Sequence, residues 1–166
     1  MTWGFNKKGN VVADSVLVVF ILFIVGIVSV VGYIVLEDIN EDIQADADIS
    51  ATAKAEISDS TTRFPAVFDS IFAMAFILLW AVVIIASFMI DSHPIFFALT
   101  MILFIGVLIA GAMFSNAYEE FEEDSEYAAA AANFPIISFV NSHLVLFLLA
   151  IGISIGIVLF GKARTG

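Results

Sequence analysis

The sequence predicts an all-α integral membrane protein with four transmembrane helices and helical extramembrane extensions of helices one and three. The first observation is composition: 61% of the 166 residues are hydrophobic and 14% are charged, whereas soluble domains are nearer ~45–50% apolar and ~25% charged. A domain of this size has too little interior to bury so much apolar surface. The second observation is that the apolar residues form four runs, each long enough to cross a hydrocarbon core of about 30 Å as a helix.

The four runs define the predicted spans. In chain order they cover residues 15–36, 70–90, 95–114 and 135–160. The first three contain no formal charge, and the fourth contains Asn141 and His143 but no carboxylate. None shows the two-residue alternation of barrel strands. Helices are therefore predicted, because each backbone group in lipid must find its partner within the segment.

Proline marks the predicted start of three helices. Pro65, Pro94 and Pro135 each stand at the head of an apolar run, where a missing N–H costs nothing and φ is already helical. The second and third runs are separated only by residues 91–94, which predicts a tight hairpin of antiparallel helices. Candidate N-caps lie just upstream of two of these prolines: Thr61, Thr62 and Asn133.

Two acidic segments connect the spans. Segment 37–65 contains eight carboxylates and two basic residues, and segment 115–134 contains six carboxylates and no basic residue. The basic residues of the chain ends are Lys7, Lys8, Lys162 and Arg164. Because Lys and Arg accumulate on the cytoplasmic side of membrane proteins, both termini are predicted to be cytoplasmic, or on the equivalent interior side of a virion membrane. The acidic segments are then on the other side.

Both acidic segments have helical periodicity. Residues 37–63 contain no Gly or Pro, and apolar or small residues recur there every three or four positions. Residues 115–132 also lack a helix breaker and end in five alanines, the residue with the highest helix propensity. We expect helices one and three to extend from the membrane as amphipathic stalks that pack on each other or on a partner. A solvated, frayed loop is the alternative.

A short internal similarity suggests two copies of one helical hairpin. The dipeptides Phe64-Pro65 and Phe134-Pro135 lie seventy positions apart, and each follows an acidic segment. Parallel repeats of this kind occur in transporters. Coincidence is the alternative interpretation of so short a match.

Polar residues near the spans are the candidate functional site, because placing them in lipid is costly. Asp69 lies one turn after Pro65, and His143 lies two turns after Pro135, with Asn141 between them in depth. If both helices start at the acidic side, the three residues fall within about 6 Å of depth. They could form a proton or cation site. The sequence favours the other interpretation, a polar cluster that joins helices by hydrogen bonds.

Small residues predict where helices approach closely. Gly26, Ser29 and Gly32 form one small-residue face on the first span, and Gly152 and Gly156 form another on the fourth. Small side chains let helix backbones come together in lipid, where the hydrophobic effect does not drive helix association. The glycines of the third span are less regularly placed.

Several function classes are not expected. With no cysteine, disulfides, thiolate nucleophiles and Cys-ligated metals are excluded. Six basic residues against seventeen acidic ones argue against a nucleic acid partner. The sequence contains no nucleotide-binding, hydrolase, zinc-protease or EF-hand motif. We therefore expect no catalytic residue, no cofactor and no metal site, and a protein that is not an enzyme.

The chain is similar in size, apolarity and lack of motifs to the small multispan membrane proteins of membrane-containing DNA viruses, although it carries no diagnostic motif. This resemblance implies a structural or assembly role, with the lipid bilayer, other membrane or capsid-type proteins, or copies of the chain as partners. An accessory subunit of a membrane complex is an equivalent role. A channel, holin or proton-coupled transporter centred on Asp69 and His143 is an alternative.

The N-terminus supports a third hypothesis. Lys7-Lys8-Gly9 precedes Asp14 and an apolar helix, a pattern that resembles the leader of type IV pilins over about twenty residues. The resemblance implies a pilus- or secretion-associated protein processed after Gly9. A basic flank followed by an N-capping Asp14 explains the same residues, and the sequence favours that explanation.

Overall fold

The computed structural model describes residues 11–89 and 94–165, and all regular secondary structure within them is helical. Three helices are long and apolar enough to cross a membrane, and a bent pair of helices makes a fourth candidate if it is taken as one span. This confirms the prediction of an all-helical protein with several candidate membrane-spanning helices, three or four in the described residues. The helices are α1 (Val11–Ala45), α2 (Ala51–Met89), α3 (Pro94–Glu123), α4 (Ala128–Ala131), α5 (Pro135–Ser142) and α6 (Leu144–Thr165).

Two predictions fall outside the described residues. The pilin-like tripeptide, residues 7–9, precedes the first described residue, and most of the predicted 91–94 hairpin lies between the two described stretches. Pro94 is the first described residue of α3, so the prediction that it begins a helix also depends on residues outside the described ranges.

Segment 37–65 is a helical hairpin, not a stalk formed by helix one alone. α1 ends at Ala45 and α2 begins at Ala51, so Pro65 lies inside α2 and does not begin it, contrary to the prediction. Thr61 is not a cap, because its hydroxyl donates to the Ile57 carbonyl within the helix (3.0 Å). Proline removes a single N–H from the helical ladder. With no other helix breaker between residues 51 and 64, the helix continues through it.

The hairpin turn is held by polar side chains. Ser50 caps α2 by accepting a hydrogen bond from the Ala53 N–H (3.3 Å), as serine commonly does at helix starts. Two reciprocal bonds then join the helices across the turn. Gln44 Nε2 donates to the Lys54 carbonyl (2.9 Å), and Lys54 Nζ donates to the Gln44 carbonyl (2.8 Å).

Segment 115–134 is also interrupted. α3 continues to Glu123, and a turn then leads to the single helical turn α4. In that turn the Asp124 carboxylate accepts the Glu126 N–H (2.9 Å), a local bond that competes with the helical one. Asn133, a candidate cap, donates instead to the Ala129 carbonyl behind it (3.1 Å).

The predicted fourth span, 135–160, is broken at His143. α5 and α6 meet there at a bend of 71°. Pro135 is the first residue of α5, as predicted. α6 contains 22 residues, with Lys162 and Arg164 in its last turn, and it qualifies as a candidate span only together with α5. α5 packs against α1, α2 and α3, whereas α6 packs mainly against α2 and α3.

The best-buried part of the molecule lies where α5 meets the other helices. Phe134, just before α5, Ile137 of α5 and Tyr118 of α3 are each 0% exposed. The Phe134 ring contacts Tyr33 edge-on (centroids 5.8 Å apart) and Phe64 edge-on (6.5 Å). The two phenylalanines of the internal similarity thus touch each other, although the prolines beside them stand at different positions in their helices.

Candidate functional site

The Asp69 carboxylate binds the N-terminus of α5. Its Oδ2 accepts the Ile136 N–H (3.0 Å) and its Oδ1 accepts the Ile137 N–H (2.7 Å). Asp69 belongs to α2 and is 5% exposed. It therefore acts as an N-cap supplied by another helix, the type of group that both the free N–H groups and the helix dipole favour.

This arrangement accounts for the first N–H groups of α5. A helix leaves its first four N–H groups without partners inside the helix. Pro135, at the first position, has none, and Asp69 takes the next two. The N-cap residue, Phe134, supplies the remaining one, and its N–H donates to the Ala131 carbonyl (2.9 Å); the Ser138 N–H then makes the first helical bond, to the Phe134 carbonyl (2.9 Å). Hydrogen bonds to a charged group contribute about 1.5–3 kcal/mol each, so Asp69 is a principal attachment of α5 to α2.

Asn141 is held in the same turn of α5 but does not bond to Asp69. It is 1% exposed, and its Nδ2 donates to the Ile137 carbonyl (2.9 Å). Asp69 and Asn141 thus bind the N–H and the C=O of one residue, Ile137. The Asn141 Oδ1 is buried and has no hydrogen-bond partner among the described residues.

His143 lies at the break and is exposed. Its Nδ1 is 3.1 Å from the Phe139 carbonyl, and its ring lies 4.7 Å from the Phe139 ring. It has no hydrogen bond to Asp69 or Asn141 in the described part of the chain. The structure therefore places Asp69 and Asn141 around Ile137, and it places His143 on the surface at the other end of α5.

The break itself is stabilised by α3. The Leu146 N–H donates to the His143 carbonyl (3.0 Å), three residues back, and so leaves the Ser142 carbonyl outside the helical ladder. The Ser115 hydroxyl of α3 donates to that carbonyl. A buried carbonyl needs a partner, and here a side chain from another helix supplies it.

Two further side chains of α3 reach α5. The Tyr118 hydroxyl is 3.3 Å from the Ser138 hydroxyl. The Ser142 hydroxyl donates to Glu122 Oε2 (3.3 Å). We call Asp69, Ser115, Tyr118 and Glu122 the α5 anchor, because each bonds to a residue of α5. Sequence reasoning found only Asp69 of these four. Ser115, Tyr118 and Glu122 recur at three- and four-residue spacing on α3, which was the available signal.

The glycine predictions divide into two groups. A Cβ at Gly26 would lie 2.6 Å from Asn141 Nδ2 and 3.2 Å from Ile137 Cγ2, so α1 meets α5 closely there. A Cβ at Gly152 would overlap the Phe104 ring of α3. Gly32 and Gly156, in contrast, have no atom of the described residues within 4 Å of that position, apart from their own helix backbone. Ser29 is buried, and its hydroxyl bonds within α1 to the Val25 carbonyl (2.7 Å).

One close glycine contact lies outside the predicted faces. A Cβ at Gly111 of α3 would overlap the Leu148 side chain of α6. The third span lacks the regular small-residue spacing that identified the other faces, and for this reason the contact was not predicted.

The spans also enclose a small apolar cavity of about 40 Å³ away from the α5 anchor. Its lining includes Leu22 of α1, Phe76 and Trp80 of α2, and Phe147 of α6. The Trp80 Nε1 is buried and lacks a hydrogen-bond partner in the described part of the structure. The cavity has room for a water molecule, but its lining is almost entirely apolar, so it is expected to remain dry.

No model of a protein family, no curated protein and no solved structure matches this chain. The contacts above are therefore the basis for assigning a function.

Proposed function

We propose that the protein is a non-enzymatic membrane scaffold whose spans hold it in the bilayer and whose acidic segments contact partner proteins. The observation that carries the proposal is the hydrogen bonding of the Asp69 carboxylate. Both of its oxygens are bound to N–H groups of α5, so the carboxylate predicted as a candidate proton or cation group serves to attach one helix to another. Buried polar groups that join helices in this way are typical of membrane protein packing.

The acidic hairpin 37–65 is the proposed partner-binding element. Its carboxylates are exposed. Among the described residues its ion pair is that of Arg63 with Asp59 (2.9 Å), and both side chains are more than half exposed. An exposed ion pair of this kind contributes little. The remaining negative charge favours a partner with a basic surface.

Site-specific photo-cross-linking in the native membrane tests this role. A photoreactive amino acid at position 48, in the hairpin turn, should give a discrete cross-linked partner, and one at position 77, on the exposed side of α2, should give lipid adducts. Replacing Glu41, Asp42 and Asp46 with their amides should reduce the first cross-link. If the hairpin probe captures no protein, the scaffold proposal fails.

We propose further that both termini lie on one side of the membrane and the acidic segments on the other. The support is the charge distribution and the antiparallel order of the helices. Because the chain contains no cysteine, single-cysteine variants need no background correction. Asp48→Cys should react with an impermeant maleimide on one side, and a cysteine added after Gly166 only on the other. Labelling of both positions from the same side contradicts this topology.

A virion membrane protein and an accessory subunit of a membrane complex both meet this description. Copurification of the chain with particles supports the first, and copurification with a complex of cellular membrane proteins supports the second.

Transport is the second candidate, and the broken α5–α6 pair favours it. Discontinuous helices form substrate and ion sites in many transporters. Here a carboxylate occupies the N-terminus of the half-helix, and His143 is exposed beside the break. Proton or cation flux into liposomes that falls with both Asp69→Asn and His143→Ala supports transport. Flux equal to that of empty liposomes contradicts it.

A further inference from the structure

A second cavity lies beside the α5 anchor, at the acidic end of the molecule. Its volume is about 180 Å³, and it is lined by Glu122 of α3, three alanines of residues 128–132, and Pro135 and Ser138 of α5. Sites for small organic ligands are usually ~300–1,000 Å³, whereas a water molecule takes up about 30 Å³. The cavity is therefore of the size of one long side chain.

The chemistry of the walls selects a cation with an apolar stem. The alanine and proline walls offer aliphatic contact, and Glu122 supplies a carboxylate. Segment 115–134 carries six carboxylates and no basic residue, so the surrounding field also favours a positive group. Lysine has this combination, an aliphatic stem and a charged end.

The hydrogen bonds of Glu122 favour lysine over arginine. Its Oε2 already accepts the Ser142 hydroxyl (3.3 Å), and within the described residues no hydrogen bond reaches its Oε1. One free oxygen suits the point charge of an ammonium group. An arginine would need both carboxylate oxygens for its usual bidentate hydrogen bonds. The Ser138 hydroxyl donates to the Ala131 carbonyl (3.4 Å) and so accepts from the Tyr118 hydroxyl (3.3 Å), which leaves it one lone pair for a second ammonium hydrogen.

We propose that this cavity receives a lysine side chain of a partner protein, with Glu122 pairing with its ammonium group. The proposal rests on the partner-binding role proposed above and names the chemistry of the contact. It assigns Glu122 two tasks, because one oxygen holds α5 through Ser142 and the other binds the partner.

Peptide binding to the full chain in phosphatidylcholine nanodiscs tests the proposal. The probes are a capped alanine peptide with three lysines and the same peptide with three arginines. Glu122→Gln keeps an acceptor for Ser142 and removes the charge, and it should weaken the lysine peptide about tenfold or more. The matched control Glu120→Gln, at an exposed position of the same helix, should change binding by less than about threefold. Ala132→Leu, which fills the cavity without changing charge, should also weaken binding.

The outcomes separate this proposal from the wider one. Equal weakening by Glu122→Gln and Glu120→Gln means a diffuse acidic surface and overturns the cavity but not the scaffold. Equal or tighter binding of the arginine peptide overturns the choice of lysine. If ethylammonium or Mg²⁺ competes with the peptide at the same concentration, the occupant is a small cation, and the proposal of a protein partner is overturned. Failure of the lysine peptide to bind, with the hairpin cross-link retained, overturns this inference alone.

Discussion

The two halves of the bundle are held together in different ways. At the acidic end, α5 is attached to α2 and α3 by the α5 anchor and is surrounded by Tyr33, Phe64 and Tyr118. In the other half, α6 packs on α2 and α3 through aliphatic and aromatic side chains and through Gly111 and Gly152. That half also contains the apolar cavity and the Trp80 Nε1, which has no hydrogen-bond partner among the described residues.

The difference shows what a helix in lipid requires. α6 is long, and its own backbone bonds satisfy it, so it needs only close packing. α5 has eight residues, fewer than a helix needs to be stable by itself, and both of its ends leave backbone groups without partners. Asp69 supplies acceptors at one end and Ser115 supplies a donor at the other. The short helix is therefore specified by polar contacts and the long helix by shape.

The largest effect is expected at Asp69. Asp69→Leu leaves the Ile136 and Ile137 N–H groups buried without acceptors and should lower the free energy of unfolding by about 3 kcal/mol. Asp69→Asn keeps one acceptor and should cost about half as much. Unfolding by dodecyl sulfate in bicelles, followed by circular dichroism, measures both. A loss below about 0.5 kcal/mol for the leucine variant would contradict the role of Asp69 as a cap.

The next effect separates two glycines of α1. Gly26→Ala places a methyl group against Asn141 and Ile137 and should cost about 1–3 kcal/mol. Gly32→Ala meets no neighbouring atom within 4 Å and should be neutral or stabilise by up to about 1 kcal/mol, because alanine loses less backbone entropy in a helix. The same unfolding assay measures both variants. Equal effects at the two positions would mean that α1 and α5 are not in close contact.

Asp69 and Gly26 also show how much of the candidate site could be predicted from the sequence. Long apolar runs predicted the membrane helices, and Asp69 and Gly26 stood out as a charge near a span and as part of a small-residue face. Gly32 and Gly156 had the same spacing signal without a contact, because a small-residue spacing does not say which side of a helix faces a neighbour.

The break at His143 could not be predicted, since residues 141–143 contain neither Gly nor Pro. It depends on a hydroxyl of α3 that binds the Ser142 carbonyl, and that is a tertiary contact. The error at Pro65 was the opposite one. A helix start was predicted there, but α2 continues through the proline because the helix is stabilised on both sides of it. Proline predicted a helix start correctly at position 135, where residues 132–134 do not form a helix.

Ser115→Ala is expected to have an intermediate effect. It leaves the Ser142 carbonyl without its donor and should cost about 1 kcal/mol. Hydrogen exchange should also rise for the Leu146 and Phe147 amides, which bond to the His143 carbonyl at the break. Ser29→Ala is the matched control, since in the described part of the chain the Ser29 hydroxyl bonds within its own helix. If exchange at residues 146 and 147 rises equally in the control, Ser115 does not stabilise the break.

The smallest effects compare one aromatic residue from each half. Trp80→Phe removes an N–H that has no partner among the described residues, and it also removes some packing. Because these two effects oppose each other, the free energy of unfolding should change by less than about 1 kcal/mol. Tyr118→Phe removes the hydroxyl that meets Ser138 and should cost about 1 kcal/mol. The unfolding midpoint of Trp80→Phe should therefore be higher than that of Tyr118→Phe. Circular dichroism is used to measure both, because Trp80 is itself a fluorophore. The reverse order would mean that the Trp80 N–H is bonded in the membrane, and the contrast between a polar end and an apolar half would then no longer hold at that residue.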